Sequence, residues 1–305
     1  MFDRTRQQLF TVRDYDLAVT LASGQAFRWR KSSDWWEGVL SDHWLRLRQT
    51  EDGILGETAT PVADWNWLTN YLQIGVDLPS VLLTFPDDEP IRRAVAMCRG
   101  LRLLRQDAWE CLASFILSST KQIVQIQQIV ALLCERFGQP LVVPAGHAPM
   151  FGFPSAARLA ACAEADLRGC KMGFRAPNLL RTAKLIAVGE VNLASLHTRD
   201  VDDARAELVK LPGVGNKIAN CVLLFAYGFQ QAFPVDVWVM KALRELYFPK
   251  RRVSTKRLTH FTATHFGPNA GYAQQYLFHY MRTKDLELRN SRRKSGPHQT
   301  SALPS

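Results

Sequence analysis

Two side chains in this sequence have the type and setting for covalent chemistry: an amine at Lys217 and a carboxylate at Asp236. Lys217 lies in LPGVGNKIANC (Leu211–Cys221), between two segments with helical periodicity and two residues beyond the second of a glycine pair, Gly213 and Gly215. Glycines flanking Val214 let the linker turn sharply and expose its N–H groups. At the start of the following helix, unpaired donors and the macrodipole favour an anion such as a DNA backbone phosphate. The plain alternative is a tight interhelical turn; in a basic chain we favour phosphate binding. The same partly positive helix end is a poor place for a cation, and partial burial would lower the lysine pKa further, leaving a neutral amine able to form a Schiff base. Taken alone, Lys217 reads equally well as a point charge on a phosphate. Asp236, in FPVDVWVMKAL, follows Pro234 by two residues and precedes an apolar-periodic run, the pattern of a helix N-cap. Capping by itself would explain it. Held near an amine, the carboxylate would also stabilise positive charge developing on a sugar and help move protons.

The elements that must position these groups follow from hydropathy period. Between about residues 10 and 60, FRWRK, WWEGVLS and WLRLRQT are short aromatic and β-branched runs separated by turn signals. In the last of these, Leu45 and Leu47 alternate with Trp44, Arg46 and Arg48, which predicts an antiparallel sheet with one solvated face. From about residue 62 the period becomes helical, through ADWNWLTNYLQI, a helix opened by Pro90, DAWECLASFILSS, and on to NAGYAQQYLFHYMR. The fold class is therefore α+β: a small N-terminal antiparallel sheet domain (residues 1–88, with a flanking helix) packed on a large all-helical domain (89–285) that contains a helix–hairpin–helix motif. Residues 286–305 are polar and basic without sustained periodicity and are expected to be a disordered tail.

The chain has 305 residues and carries 38 lysines and arginines against 28 acidic residues, a net charge of +10, which favours a polyanionic partner. Its six cysteines are scattered through apolar patterns with no CxxC pair, so free thiols in a reducing cytoplasm are expected, not a zinc site or iron–sulfur cluster. The start, MFDRTRQQLF, does not read as a signal peptide, and no stretch reads as a membrane span.

LPGVGNKIANC followed by PVDVWV resembles the helix–hairpin–helix, Gly/Pro-rich loop and aspartate signature of a DNA glycosylase superfamily. Within it, SGQAFRW, GLRLLRQDAWECLASFILSS, MGFRAPNLL and GYAQQYLF, in that order, are similar to the eukaryotic-type 8-oxoguanine DNA glycosylase/AP lyase family, over about residues 20 to 282. The resemblance implies a bifunctional repair enzyme that flips an oxidised purine from double-stranded DNA and acts without metal or organic cofactor, expected as a cytoplasmic monomer. By motif position it implies that Lys217 attacks C1′ and forms the Schiff base, while Asp236 stabilises the charged transition state. It further implies that the Gly24 carbonyl accepts the N7–H that distinguishes 8-oxoguanine from guanine. Gln274 and Phe278 would bond the Watson–Crick edge and stack on the base, with Cys221 on its other side. Phe174 and Arg175 match a wedge and its neighbour, which would fill the vacated gap and bond the orphaned cytosine.

Several positions depart from the family pattern. Phe174 stands where tyrosine is commoner. Ser119–Gln122 replaces an asparagine-rich stretch, with Thr120 where an asparagine would contact the estranged base and Gln125 where an arginine would help read it. Trp238 replaces a histidine beside a phosphate, and Met281 a carboxylate behind the pocket. Relaxed opposite-base discrimination is expected. A glycosylase for another damaged base and a non-catalytic helix–hairpin–helix DNA-binding module are the competing readings.

Overall fold

The computed structural model describes residues 4–249 and 252–294. Five strands, β1 (Thr5–Thr11), β2 (Arg30–Ser32), β3 (Trp35–Leu40), β4 (His43–Gln49) and β5 (Gly53–Val62), form one antiparallel sheet in the order β1-β5-β4-β3-β2. The three expected runs are β2, β3 and β4. β1 escapes the pattern because it is an edge strand exposed along almost its whole length, so its residues need no alternation. The first helix, α1 (Leu17–Ala22), follows β1 and is capped by Asp16, which accepts from the Val19 N–H.

Leu45, Leu47 and Ile54 face a small core with Leu17 and Leu21 of α1 and with Leu68 and Leu72 of α2 (Asn66–Leu72). Trp44, expected on the solvated side, is buried as well. The His147 ring packs edge-on against it at 4.8 Å, and its indole N–H donates to Glu37, which His147 also contacts. A distant loop thus covers part of the face that strand alternation assigns to solvent.

The remaining helices range from short turns to long segments. They are α3 (Leu78–Leu82), α4 (Glu89–Met97), α5 (Ala108–Leu117), α6 (Ile123–Phe137), α7 (Ala156–Ala160), α8 (Glu164–Arg168), α9 (Ala176–Ala187) and α10 (Val201–Val209). α11 (Asn216–Val222) and α12 (Val237–Ala242) each run straight into a five-residue π turn, and α13 (Thr255–Thr264) and α14 (Ala270–Lys294) close the fold. They enclose a second, larger core, in which α14 packs on α4 and α12 while α11 packs on α5. Leu78 belongs to this larger core and Leu104 to the smaller one, so the two interleave across the expected division at residue 88.

The two parts are joined by polar contacts: Arg28 pairs with Glu110 of α5 at 3.3 Å, and Gln25 is wholly buried against residues 102–104. One expectation is corrected at the other end. α14 continues helical through Lys294, past the start of the expected tail at Leu286. A helix anchored by a buried first half propagates through good helix formers, and the Asp285–Arg289 pair at 2.6 Å supports the continuation. The rest of that segment, 295–305, lies outside the described residues. The six cysteines form no disulfide, and all except the half-buried Cys162 are buried.

Candidate active site

The hairpin between α10 and α11 is built as a tight turn. Val214 N–H bonds the Leu211 carbonyl at 3.1 Å, and Thr182 of α9 donates to the Pro212 carbonyl at 3.1 Å, pinning the turn from outside. Gly213 has φ of +79°, and a Cβ there would stand 2.9 Å from Asn178, so backbone conformation and packing both demand glycine. Gly215 is different. Its φ is −98°, it caps α11 without a side chain, and a Cβ would meet nothing within 4 Å.

α11 carries Lys217 and Cys221 one turn apart on the same face. The Lys217 Nζ donates to the Ser118 hydroxyl at 3.2 Å and lies 5.0 Å from the centre of the Phe115 ring, so α5 supplies its seat. Cys221 is buried, and that burial pushes its thiol up to about 11, with the nearby Lys217 charge opposing. The thiol stays protonated at neutral pH, so Cys221 is a poor nucleophile.

Asp236 is the N-cap of α12, as its sequence setting predicts: one carboxylate oxygen accepts from Trp238 N–H at 3.0 Å and Val239 N–H at 2.8 Å. Burial raises its pKa above the ordinary 3.8, while those N–H bonds and the Lys217 charge pull it down. The carboxylate is therefore electrostatically coupled to the lysine across the same space.

That space is a cavity of about 780 Å³, into which Lys217, Cys221, Asp236, Gly24, Gln274 and Phe278 all contribute. Gly24 has φ of +81° in a turn held on three sides. The Gln25 amide donates to Thr20, Ser23 and Arg102 and its oxygen accepts from Leu104 N–H, Gln106 donates to the Gln25 carbonyl at 2.7 Å, and Gln275 of α14 donates to the Ser23 carbonyl at 3.1 Å. None of Gln25, Gln106 and Gln275 is singled out by sequence reasoning; a buried glutamine is invisible until the surfaces that bury it are known. Gln274 is 3% exposed, and its amide oxygen has no partner among the described residues. A buried acceptor left open on a cavity wall is matched to a donor on a ligand. Met281, which takes the place of a carboxylate in the family pattern, is itself buried and offers Gln274 no polar partner.

The residues expected to face the complementary strand are arranged differently from their expected roles. Phe174 is 63% exposed on a 3₁₀ turn (Gly173–Arg175), available as a wedge. Arg175, expected to reach an orphaned base, is 3% exposed and stacks on Phe174 at 4.2 Å. Its donors go to the carbonyls of Met172 and Ser119 and to the Thr120 hydroxyl. Through Nη1 and Nη2 it clamps the turn after α5, while its Nε is buried without an acceptor among the described residues. Thr120 has φ of +57°, a conformation costly for a β-branched residue and cheaper for the asparagine it replaces. The Gln125 amide oxygen accepts from Gln122 N–H at 3.1 Å and so closes the start of its own helix. Thr120 and Trp238 line the cavity, the latter with the Lys241 ammonium 5.7 Å from its ring centre; Gly213, Gly215, Phe174 and Arg175 do not line it.

A glycine hairpin, the lysine that follows it and a helix-capping aspartate share this helical fold, the last two on one cavity, an arrangement that fits a helix–hairpin–helix base-excision glycosylase. Residues 8–112 match the family described as 8-oxoguanine DNA glycosylase, N-terminal domain, and residues 113–267 match the HhH-GPD superfamily base excision DNA repair protein. The chain belongs to the 8-oxoguanine DNA glycosylase family of that superfamily. It is 30% identical to an N-glycosylase/DNA lyase of Arabidopsis thaliana over 88% of this chain and 78% of the relative. It is 29% identical to a probable N-glycosylase/DNA lyase of Methanothermobacter thermautotrophicus, over 90% and 96%. Among solved structures, an 8-oxoguanine glycosylase/lyase of Clostridium acetobutylicum, in complex with double-stranded DNA containing cytosine opposite the lesion, superposes with a TM-score of 0.85 at 29% identity, covering 93% of this chain and 99% of that one.

Proposed function

We propose that this chain excises 8-oxoguanine from double-stranded DNA and cleaves the strand through a Schiff base on Lys217. The observation that carries the reading is the convergence of Lys217, Asp236, Gly24, Gln274 and Phe278 on one cavity. The flipped base stacks on Phe278, gives its Watson–Crick N–H groups to the open Gln274 oxygen, and gives N7–H to the Gly24 carbonyl. Guanine has a lone pair at N7, so the same carbonyl repels it. As the glycosidic bond breaks, its electron pair leaves with the base, which takes up a proton, and the Asp236 carboxylate stabilises the positive sugar. The Lys217 amine bonds C1′ through its lone pair. Ring opening of that adduct breaks the C1′–O4′ bond, O4′ taking up a proton as the 4′ hydroxyl, and the protonated imine that results makes the C2′ proton acidic; removing it expels the 3′ phosphate. The exposed Phe174 fills the vacated stack. Gly215, whose glycine neither φ nor packing explains, leaves room for a phosphate to approach the start of α11. We place this monomeric enzyme in the cytoplasm; no helix among the described residues is long and apolar enough to cross a membrane.

Borohydride trapping on a lesion-bearing duplex tests the reading. A covalent adduct separates this enzyme from a DNA-binding module, and comparing 8-oxoguanine with alkylated purines separates it from a glycosylase of other specificity. Substituting Gly24→Ala tests lesion choice. A Cβ would stand 2.6 Å from Ile123 and 3.3 Å from the Phe278 ring, at a φ costing an alanine about 1–2 kcal/mol. Excision falls, and so does the preference for 8-oxoguanine over guanine; an unchanged preference removes Gly24 from lesion reading.

The complementary strand is read loosely. Arg175 turns Nη1 and Nη2 into the protein and buries its Nε, the Gln125 oxygen accepts from Gln122 N–H, and Thr120 accepts from Arg175, so these three hold no preformed bidentate pair for cytosine. Such a pair is worth about 1–3 kcal/mol. Excision opposite the four bases is expected to vary by less than about tenfold, measured in single-turnover assays. Excision opposite cytosine alone refutes this.

A further inference from the structure

Arg282 lies on the cavity wall, four residues beyond Phe278 and eight beyond Gln274, so the three side chains follow one stripe of α14. One end of its guanidinium is fastened: Nη2 donates to the carbonyl of Ala22, two residues before Gly24. The other end is open. Nη1 is sealed from solvent and has no hydrogen-bond acceptor among the described residues. A Cβ built on Gly24 would stand 3.0 Å from this Nη1 and 3.3 Å from the Phe278 ring edge, so the open donor, the Gly24 backbone and the stacking ring meet at one corner of the cavity. Burial weakens the hold of Arg282 on its proton, with the Asp236 charge opposing, which reflects how little water reaches the group. A buried charged N–H without an acceptor is costly, and its position inside a binding cavity points to an acceptor that arrives with the ligand.

We propose that Arg282 is a further lesion-reading residue, whose Nη1 donates to a carbonyl oxygen flanking N7 of the flipped oxopurine. The proposal rests on the reading of the cavity as a base pocket. With N7–H on the Gly24 carbonyl, the acceptors nearest a donor beside Gly24 are C8=O on one side of N7 and C6=O on the other. Oxidation replaces the C8 hydrogen with an acceptor, so a bond to O8 adds to discrimination against guanine, while a bond to O6 holds the purine without discriminating.

The test measures equilibrium binding of four duplexes to Lys217→Gln protein with and without Arg282→Met. They carry 8-oxoguanine; 8-thioguanine, which keeps N7–H and O6 but presents sulfur at C8; 8-oxoadenine, which keeps N7–H and O8 but carries an amino group at C6; and a tetrahydrofuran abasic analogue. Arg282→Met is expected to weaken 8-oxoguanine binding about tenfold or more. The analogue lacking the contacted oxygen loses much less, and that analogue identifies O8 or O6. Abasic binding is unchanged, and Arg282→Met with Lys217 intact cleaves a preformed abasic site at the original rate. Arg282→Lys, which keeps a charged donor, restores part of the affinity. Unchanged 8-oxoguanine affinity, equal losses on all three base-bearing duplexes, or a loss that extends to the abasic duplex and to abasic-site cleavage overturns the proposal; the last would make Arg282 a backbone contact or a support for the Gly24 turn. If the Lys217→Gln protein does not prefer 8-oxoguanine over guanine before Arg282 is altered, the base-pocket reading fails first, and this proposal falls with it.

Discussion

Lys217→Gln is expected to abolish borohydride trapping and to lower strand cleavage at 8-oxoguanine by on the order of 10³-fold or more, while lesion-duplex affinity stays close to that of the unmodified protein. The substitution removes the nucleophile and keeps a side chain of similar length that can still meet the Ser118 hydroxyl, now 3.2 Å from the amine. The fold should tolerate it, because the site is half-buried and its other near neighbour is the Phe115 ring. Cys221 does not take over as nucleophile: with its thiol pushed up to about 11, little thiolate is present at neutral pH. An adduct of undiminished yield in this variant would mean that another amine is the nucleophile, and the assignment of Lys217 would be lost.

Asp236→Asn is expected to separate activity from stability. Asparagine caps a helix about as well as aspartate, so the bonds to Trp238 and Val239 have a substitute acceptor. The developing sugar cation loses its counter-charge, and the excision rate constant should fall by roughly 10²–10³-fold. Because burial raises the Asp236 pKa, the fold favours the protonated form. Relative to an ordinary aspartate, stability is therefore lost as pH rises from near 3.8 through the raised value, and above it the ionised group carries the full penalty. Removing the charge lifts that penalty, so thermal unfolding at neutral pH should show an unchanged or higher Tm. In the unmodified enzyme, excision should decline on acidification at a higher pH than a solvent-exposed aspartate would give, and this limb of the pH–rate profile should be absent from the asparagine variant. A clear drop in Tm with the pH profile intact would reduce Asp236 to a cap.

How much of this was legible in the sequence varies with the range of the interaction. Asp236 could be read as a cap because capping depends on the next three residues. The glycine hairpin could be read because Gly213 answers a local backbone requirement, φ of +79°. Trp44 is buried although alternation puts it on the solvated side, because alternation says which side a residue takes and nothing about the loop carrying His147 that covers that side. The extent of α14 was underestimated because the polar stretch after Leu286 has no periodic apolar face, while helix propagation from an anchored segment needs none.

A hairpin lysine, a capping aspartate and the helices that carry them are legible in the residues alone. Those are short-range matters of turn, cap and period. Which polar groups stay open follows from long-range packing. Gln274 and Arg282 keep unpartnered atoms on the cavity wall, whereas the Arg175 guanidinium lies off it, buried, with Nη2 held by the Ser119–Thr120 turn. Whether a polar side chain is spent or available depends on partners brought from distant parts of the chain, 55 residues away for Arg175 and Thr120 and 260 for Arg282 and Ala22. No local pattern encodes that pairing; it exists once the two cores have packed and water has been excluded.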